Sequence, residues 1–253
     1  MQTNSIRFSC VGCGICCTGR LIPLTVREAE QWLDRGHDVA VILEAFNESN
    51  WPGASREYAH SAGRSVEVRC GDTKIRVIAI FAGKAIEKCP NLRPDNLCGI
   101  YEERPLVCRI YPMEINPFIA LRKEEKVCPP EVWDLGEILC TDGRADAALE
   151  ALISQSRQAD KSDASTKIAV CAHLGLHIAS WKGDALAVYF PEREKLREAL
   201  FTIKGKPADY QGFEWKVRVD DPTLRGRLGA ATLAFDHSEQ PNYIFHSLQP
   251  PAL

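Results

Sequence analysis

The sequence predicts a mixed α+β protein: an irregular, cysteine-rich N-terminal half with helices and a hairpin, then a C-terminal half of mixed helix and strand. Three observations carry this. Nine of the 11 cysteines lie in residues 1–128. Helical periodicity (Val26, Ala29, Leu33) and strand alternation (Val66, Val68, Cys70) occur within one stretch of chain. Residues 89–128 combine four cysteines and five prolines with little periodicity, so something other than a ladder must hold that backbone.

The elements follow in order. Thr25 and Glu28 form a capping box, and the stripe Val26, Ala29, Leu33 makes a helix that stops at Gly36. Asp38 is placed to cap a second short helix over the apolar run 39–46, and residues 51–63 read as a loop. A hairpin comes next. Val66, Val68 and Cys70 alternate with charged residues, Gly71-Asp72 supplies the turn, and Ile75 and Val77 alternate on the return. Residues 145–153 and 166–181 are predicted helical, a further helix starts at Pro191 with Leu196, Ala199 and Leu200 inward, and residues 213–219 read as a half-buried strand. The tail, residues 249–253, is expected to fray. Cysteine density and the polar stretch 154–165 suggest residues 1–135 as a cysteine-cluster domain and 136–253 as an α+β region, either separate or continuous with it.

Composition excludes several classes. The chain has 253 residues, 45% apolar and 26% charged, as ordinary globular proteins do. A net charge of −3 gives no global basic field, so neither nucleic acid nor an anionic membrane surface is an expected partner. The apolar runs 77–83 and 168–180 fall short of the roughly 20 residues a membrane span needs. The first ten residues are polar and mixed, without a secretory apolar region, which points to a cytoplasmic protein. An odd cysteine count in that compartment disfavours a disulfide framework and favours thiols that bind metal.

Cys10, Cys13 and Cys16 have C-x2-C-x2-C spacing, with Cys17 directly behind. Thiolates three residues apart in a loop converge, and Gly12 and Gly14 let the backbone take positive φ. The same rhythm binds three corners of a 4Fe–4S cluster whose remaining ligand is a distant Cys followed by Pro, and Cys89-Pro90 and Cys128-Pro129 both have that form. Zinc also uses C-x2-C knuckles, as two pairs completing a tetrahedron. Cys16 and Cys17, being adjacent, serve one ion only through a tight turn and otherwise serve two sites. With Cys98 and Cys108 the thiol set is Cys10, Cys13, Cys16, Cys17, Cys89, Cys98, Cys108 and Cys128, twice the number one tetrahedral site requires. Arg104 and Arg109 flank Cys108 and could offset thiolate charge, or pair with Glu102, Glu103 or Glu114.

The CxxCxxCC block together with residues 89–112 resembles the YkgJ-like CxxCxxCC family of zinc- or iron-chelating cysteine-cluster proteins. The likeness covers residues 8–17 and 89–112, with Cys128-Pro129 as a further member. The resemblance implies a cysteine-bound metal centre. A related cysteine arrangement occurs in flagellin lysine methylases, so it also leaves open an enzyme that modifies a side chain of a protein substrate, with the centre beside a cleft. The first expectation is an iron–sulfur (4Fe–4S, favoured) or zinc protein whose centre is structural or carries electrons.

Other groups carry less. Cys70 sits on the inward face of the hairpin and is expected to be a core thiol. Cys140 has no ligand spacing nearby. His173 and His177 are i, i+4, a zinc geometry on a helix, but no Glu stands where a metalloprotease needs one and core histidines are the plainer expectation. No Walker A loop, Rossmann fingerprint, G-x-S-x-G elbow or H-E-x-x-H is present.

Overall fold

The computed structural model describes residues 5–51, 54–206, 210, 212–229, 232–239 and 241–248. In chain order its first elements are β1 (Ser5–Phe8), β2 (Arg20–Leu24), α1 (Val26–Asp34), β3 (Val39–Phe46), α2 (Arg56–Ala62), β4 (Val66–Cys70), β5 (Thr73–Ala85) and α3 (Leu106–Ile110). There follow β6 (Glu137–Thr141), β7 (Arg144–Ala145), α4 (Ala147–His173), β8 (Ile178–Trp181), β9 (Ala185–Tyr189), α5 (Arg193–Ile203), β10 (Lys216–Arg218), α6 (Pro222–Gly229) and β11 (Ile244–Ser247). The fold is α+β. Two compact units divide it, one from residues 1–24 and 84–159, the other from 25–83 and 160–253. Each is assembled from two separated stretches of chain.

The second unit is built on a mixed sheet. β3 pairs antiparallel with β5 and β9 and parallel with β8, β8 pairs parallel with β10, and β11 lies antiparallel on β9. The run 39–46 is therefore a strand, not the short helix its sequence suggests. All eight residues of β3 are buried. A strand covered on both faces keeps no period-2 alternation, and the β-branched Val39, Val41 and Ile42 favour the extended form. Its one charge, Glu44, takes a hydrogen bond from Lys182 at 2.9 Å.

The expected hairpin is present, with Val66 opposite Val77 and Cys70 opposite Thr73, and Val66, Val68 and Cys70 buried. Gly71 turns it at φ 62°, where a Cβ would stand 2.4 Å from the Thr232 carbonyl oxygen. The capping box at α1 is also formed: Thr25 Oγ1 accepts from Glu28 N at 3.1 Å, and Glu28 Oε2 accepts from Thr25 N at 2.8 Å. In α5, Leu196, Ala199 and Leu200 are buried as the periodicity requires.

Other sequence assignments change as well: residues 56–62, read as part of a loop, form the helix α2 behind Ser55, whose Oγ accepts from Tyr58 N at 3.0 Å. The segments 145–153 and 166–181 are not two helices, because the polar stretch between them continues the helix α4. Nothing in that stretch is Gly or Pro, so polarity alone did not break it. The chain leaves α4 at Gly175, φ 71°, and residues 178–181 are the strand β8. His177 consequently lies beyond the helix and shares no helical face with His173. The strand at 216–218 is shorter than predicted: Trp215, Val217 and Val219 are buried, but Phe213 is exposed. The tail at residues 249–253 lies outside the described residues. Among the described residues no helix is long and apolar enough to cross a membrane.

In the first unit β6 pairs antiparallel with β1 and with β7, placing Cys140 opposite Ile6 and Ala145 in a buried position. Leu106 and Ile110 of α3 pack with Leu149 and Ile153 of α4, surrounded by Met113, Ile115 and Leu139. That small core anchors α3. Between residues 86 and 136 the described backbone carries no strand, only α3 and short 3-10 turns.

Candidate metal centre

All eight candidate cysteines lie in the first unit, and each is a free thiol. The N-terminal loop folds as its glycines dictate. Gly12 and Gly14 take φ 66° and 74°, and Gly14 opens the 3-10 turn Ile15–Cys17 by accepting from Cys17 N at 3.0 Å. The turn sets Cys16 and Cys17 Sγ 3.9 Å apart. The second block docks directly on the loop. Cys89 N donates to the Cys17 carbonyl at 2.7 Å, and Gly19 N to that of Ile86 at 3.0 Å. A Cβ on Gly12 would meet Leu97 Cδ2 at 2.5 Å, and one on Gly14 would meet Leu92 Cδ2 at 3.2 Å. The glycines are thus required twice, for φ and for the approach of the second block.

Within that block Cys98 bridges to Leu92, Gly99 N donates to Asn91 O at 2.7 Å, and the Arg93–Asp95 pair closes the intervening turn. Cys108 rides on α3 behind Pro105, whose carbonyl accepts from Cys108 N at 2.9 Å. The 3-10 turn Pro130–Asp134 holds Ser9, the residue before Cys10, through Ser9 N to Val132 O at 3.2 Å, and Trp133 packs on Phe8 with ring centroids 5.3 Å apart. The Cys128 thiol donates to the Tyr111 hydroxyl at 3.4 Å.

Electrostatics divide the thiols in two. The Cys128 thiol is pushed up by burial and then by charge on Cys16, Cys13 and Cys10. Burial raises Cys108 to about 12, with charge on Cys89, Cys16 and Cys98 adding to it. Cys89 is raised by burial and by Cys98 and Cys16, while the backbone and side-chain amides of Asn91 pull it back. Cys17 is raised by its hydrogen bond to Cys16, by burial, and by Cys16, Cys89 and Cys108. Cys16 alone is drawn down, first by the bond from Cys17 and then by the guanidinium groups of Arg20 and Arg104. Like charges raising one another are what a bound cation relieves.

The two flanking arginines differ. Arg104 stacks on Tyr101, Cζ 3.7 Å from the ring centroid, and lowers both Cys16 and Cys108. Arg109 is exposed on α3. Arg20, Asn91 and Tyr111 do act on the thiols, and the sequence reading had not assigned them that role. The visible signals were an Arg four residues past Cys16 and an Asn directly after Cys89-Pro90.

Among the described residues no group of three or more Cys, His, Asp or Glu side chains is gathered tightly enough to hold one ion. The donor chemistry nevertheless fits a soft thiophilic metal: eight unpaired thiols, two cations and backbone amides on one set of loops. Cys70, Cys140 and Cys171 stand apart as buried core thiols, Cys70 raised to about 11 by burial.

Comparison with known proteins gives a family match for the cysteine-rich stretch. Residues 9–129 match the family described as "CxxCxxCC: Putative zinc- or iron-chelating domain". No curated protein and no solved structure matches the chain. Residues 9–129, which contain all eight of these cysteines, match the CxxCxxCC family domain, and this supports metal binding by the cysteine-rich part of the chain.

Proposed function

We propose that this domain holds a 4Fe–4S cluster on Cys10, Cys13, Cys16 and Cys128, and that the centre carries electrons in the cytoplasm. The observation behind it is the first thiol set: three cysteines at x2 spacing on a glycine-shaped loop, with the distant Cys128-Pro129 fastened beside them through Ser9 and Val132. Each iron of a cubane takes one protein sulfur, so four thiols suffice. Cys17, Cys89, Cys98 and Cys108 form the second set, which suits a tetrahedral thiolate ion tying the two blocks together. Cys10 is exposed and Val11, Ile15 and Leu97 beside it are 47–50% exposed, which supports a centre near the surface, where a partner can exchange electrons. When bound, the cluster supplies one-electron chemistry; the chain supplies thiolates, cations and shielding from water.

Anaerobic purification followed by iron and sulfide analysis tests the reading. The expected result is brown protein with about four irons and four sulfides per chain, bleached by dithionite. Colourless protein carrying about two zinc ions per chain would replace it with a purely structural centre. Either metal must displace protons, because Cys17, Cys89, Cys108 and Cys128 are all held above the ordinary thiol value of 9.0. Ligation needs the ionised sulfur, so metal affinity should rise with pH and fall as the solution is acidified. Titrations of metal-free protein in buffers between pH 6 and 9 measure this, and a pH-independent affinity would exclude those thiols as ligands.

A further inference from the structure

Tyr111 is where the cysteine-bearing segments meet. Its backbone closes α3, the N–H donating to Val107 O at 3.0 Å. Its ring has two cations within reach, Arg20 Cζ and Lys126 Nζ, each 5.7 Å from the centroid. Arg20 follows the CxxCxxCC block; Lys126 precedes Cys128 by two residues and is itself fastened to Glu114. Cation–π attraction from both holds the ring in place. The hydroxyl then has one sulfur beside it, that of Cys128 at 3.4 Å.

We infer that Tyr111 is a positioning residue for the metal centre, its hydroxyl held so as to donate a hydrogen bond to the Cys128 sulfur once that sulfur is a ligand. The step balances. On ligation the S–H bond of Cys128 would break, its proton would pass to water, and the freed pair on sulfur would bind the metal. The phenol oxygen, which accepted from the thiol, loses that donor, and its own O–H rotates about the C–O bond to point at the sulfur. No electron is transferred in this step. A hydrogen bond to a ligating sulfur favours the more negative, reduced centre and so raises its potential. This rests on the reading of Cys128 as a cluster ligand.

The test compares the full-length chain with Tyr111→Phe, both purified without oxygen. Phe keeps the ring and both cation contacts and removes only the hydroxyl. The expected result is unchanged iron and sulfide content, with a midpoint potential lower by about 59 mV, which is a tenfold change in the reduced-to-oxidised ratio at a fixed poise. Unchanged iron with an unmoved potential overturns the inference and leaves the cluster reading standing. Absence of iron from the wild-type chain overturns the cluster reading itself. Should Tyr111→Phe lose iron by failing to fold, 3-fluorotyrosine placed at position 111 keeps the hydroxyl and makes it a stronger donor. The potential should then rise, and an unmoved potential overturns the inference.

Discussion

Changing Cys108 to Ser should cost the protein the metal of its second thiol set and most of its soluble yield together. Cys108 sits between Leu106 and Ile110, both buried in the small core of the first unit, so its sulfur is fixed to the element that anchors the second cysteine block. Metal-binding free energy at a structural thiolate site is folding free energy, on the order of 10–16 kcal/mol for zinc, and few domains have that much stability to spare. Cys70→Ala is the matched control. That thiol is fully buried on the hairpin of the second unit and donates to the Ala234 carbonyl at 3.5 Å. Its loss should leave metal stoichiometry intact and cost about 1–2 kcal/mol. Metal analysis and thermal melts of the two variants separate ligand from filler; equal metal loss in both would contradict the assignment.

Removing the metal should open one part of the chain and spare another. Residues 86–128 carry no strand, and beyond α3 their backbone is fixed by turns such as Arg93 N to Leu97 O and by the docking of Cys89 on Cys17. The second unit keeps its own support in Trp32, Leu43, Phe46, Phe81, Trp181 and Leu196, all at most 2% exposed, and in its sheet ladders. A chelator under reducing conditions should therefore make residues 86–128 sensitive to trypsin, which has Lys88, Arg109, Arg122, Lys123 and Lys126 to cut, while fragments spanning 25–83 and 160–206 persist. Mass spectrometry of a timed digest reads this directly. Cleavage spread evenly over both units after chelation would mean the metal is not what holds the cysteine loops.

Local chemistry made much of this readable in advance. The capping box at Thr25 and Glu28, the Gly71-Asp72 turn and the stripe on α5 depend on neighbours within a few residues, so their sequence signals are complete. β3 was misread because its burial comes from three strands far away in sequence, which removes the alternation that marks a strand. Likewise α4 runs on through polar residues that patterning treats as a break. At the centre, cysteine spacing and the two glycines were legible, since loop ligands and positive φ leave residue-type signatures. The surrounding groups were not. Arg109 is next to Cys108 in sequence, yet on α3 it points to solvent, whereas Arg20 and Tyr111 reach the thiols through folding that no spacing encodes.

The central claim, that residues 9–129 bind metal through cysteine sulfur with iron–sulfur chemistry at the first thiol set, is tested most directly by X-ray absorption at the iron and zinc edges on anaerobically purified protein. The account predicts an iron first shell of sulfur alone with a second shell of neighbouring irons, and any zinc present bound only by sulfur at about 2.3 Å. A first shell of nitrogen or oxygen at either edge, or iron with no iron neighbour, would contradict it.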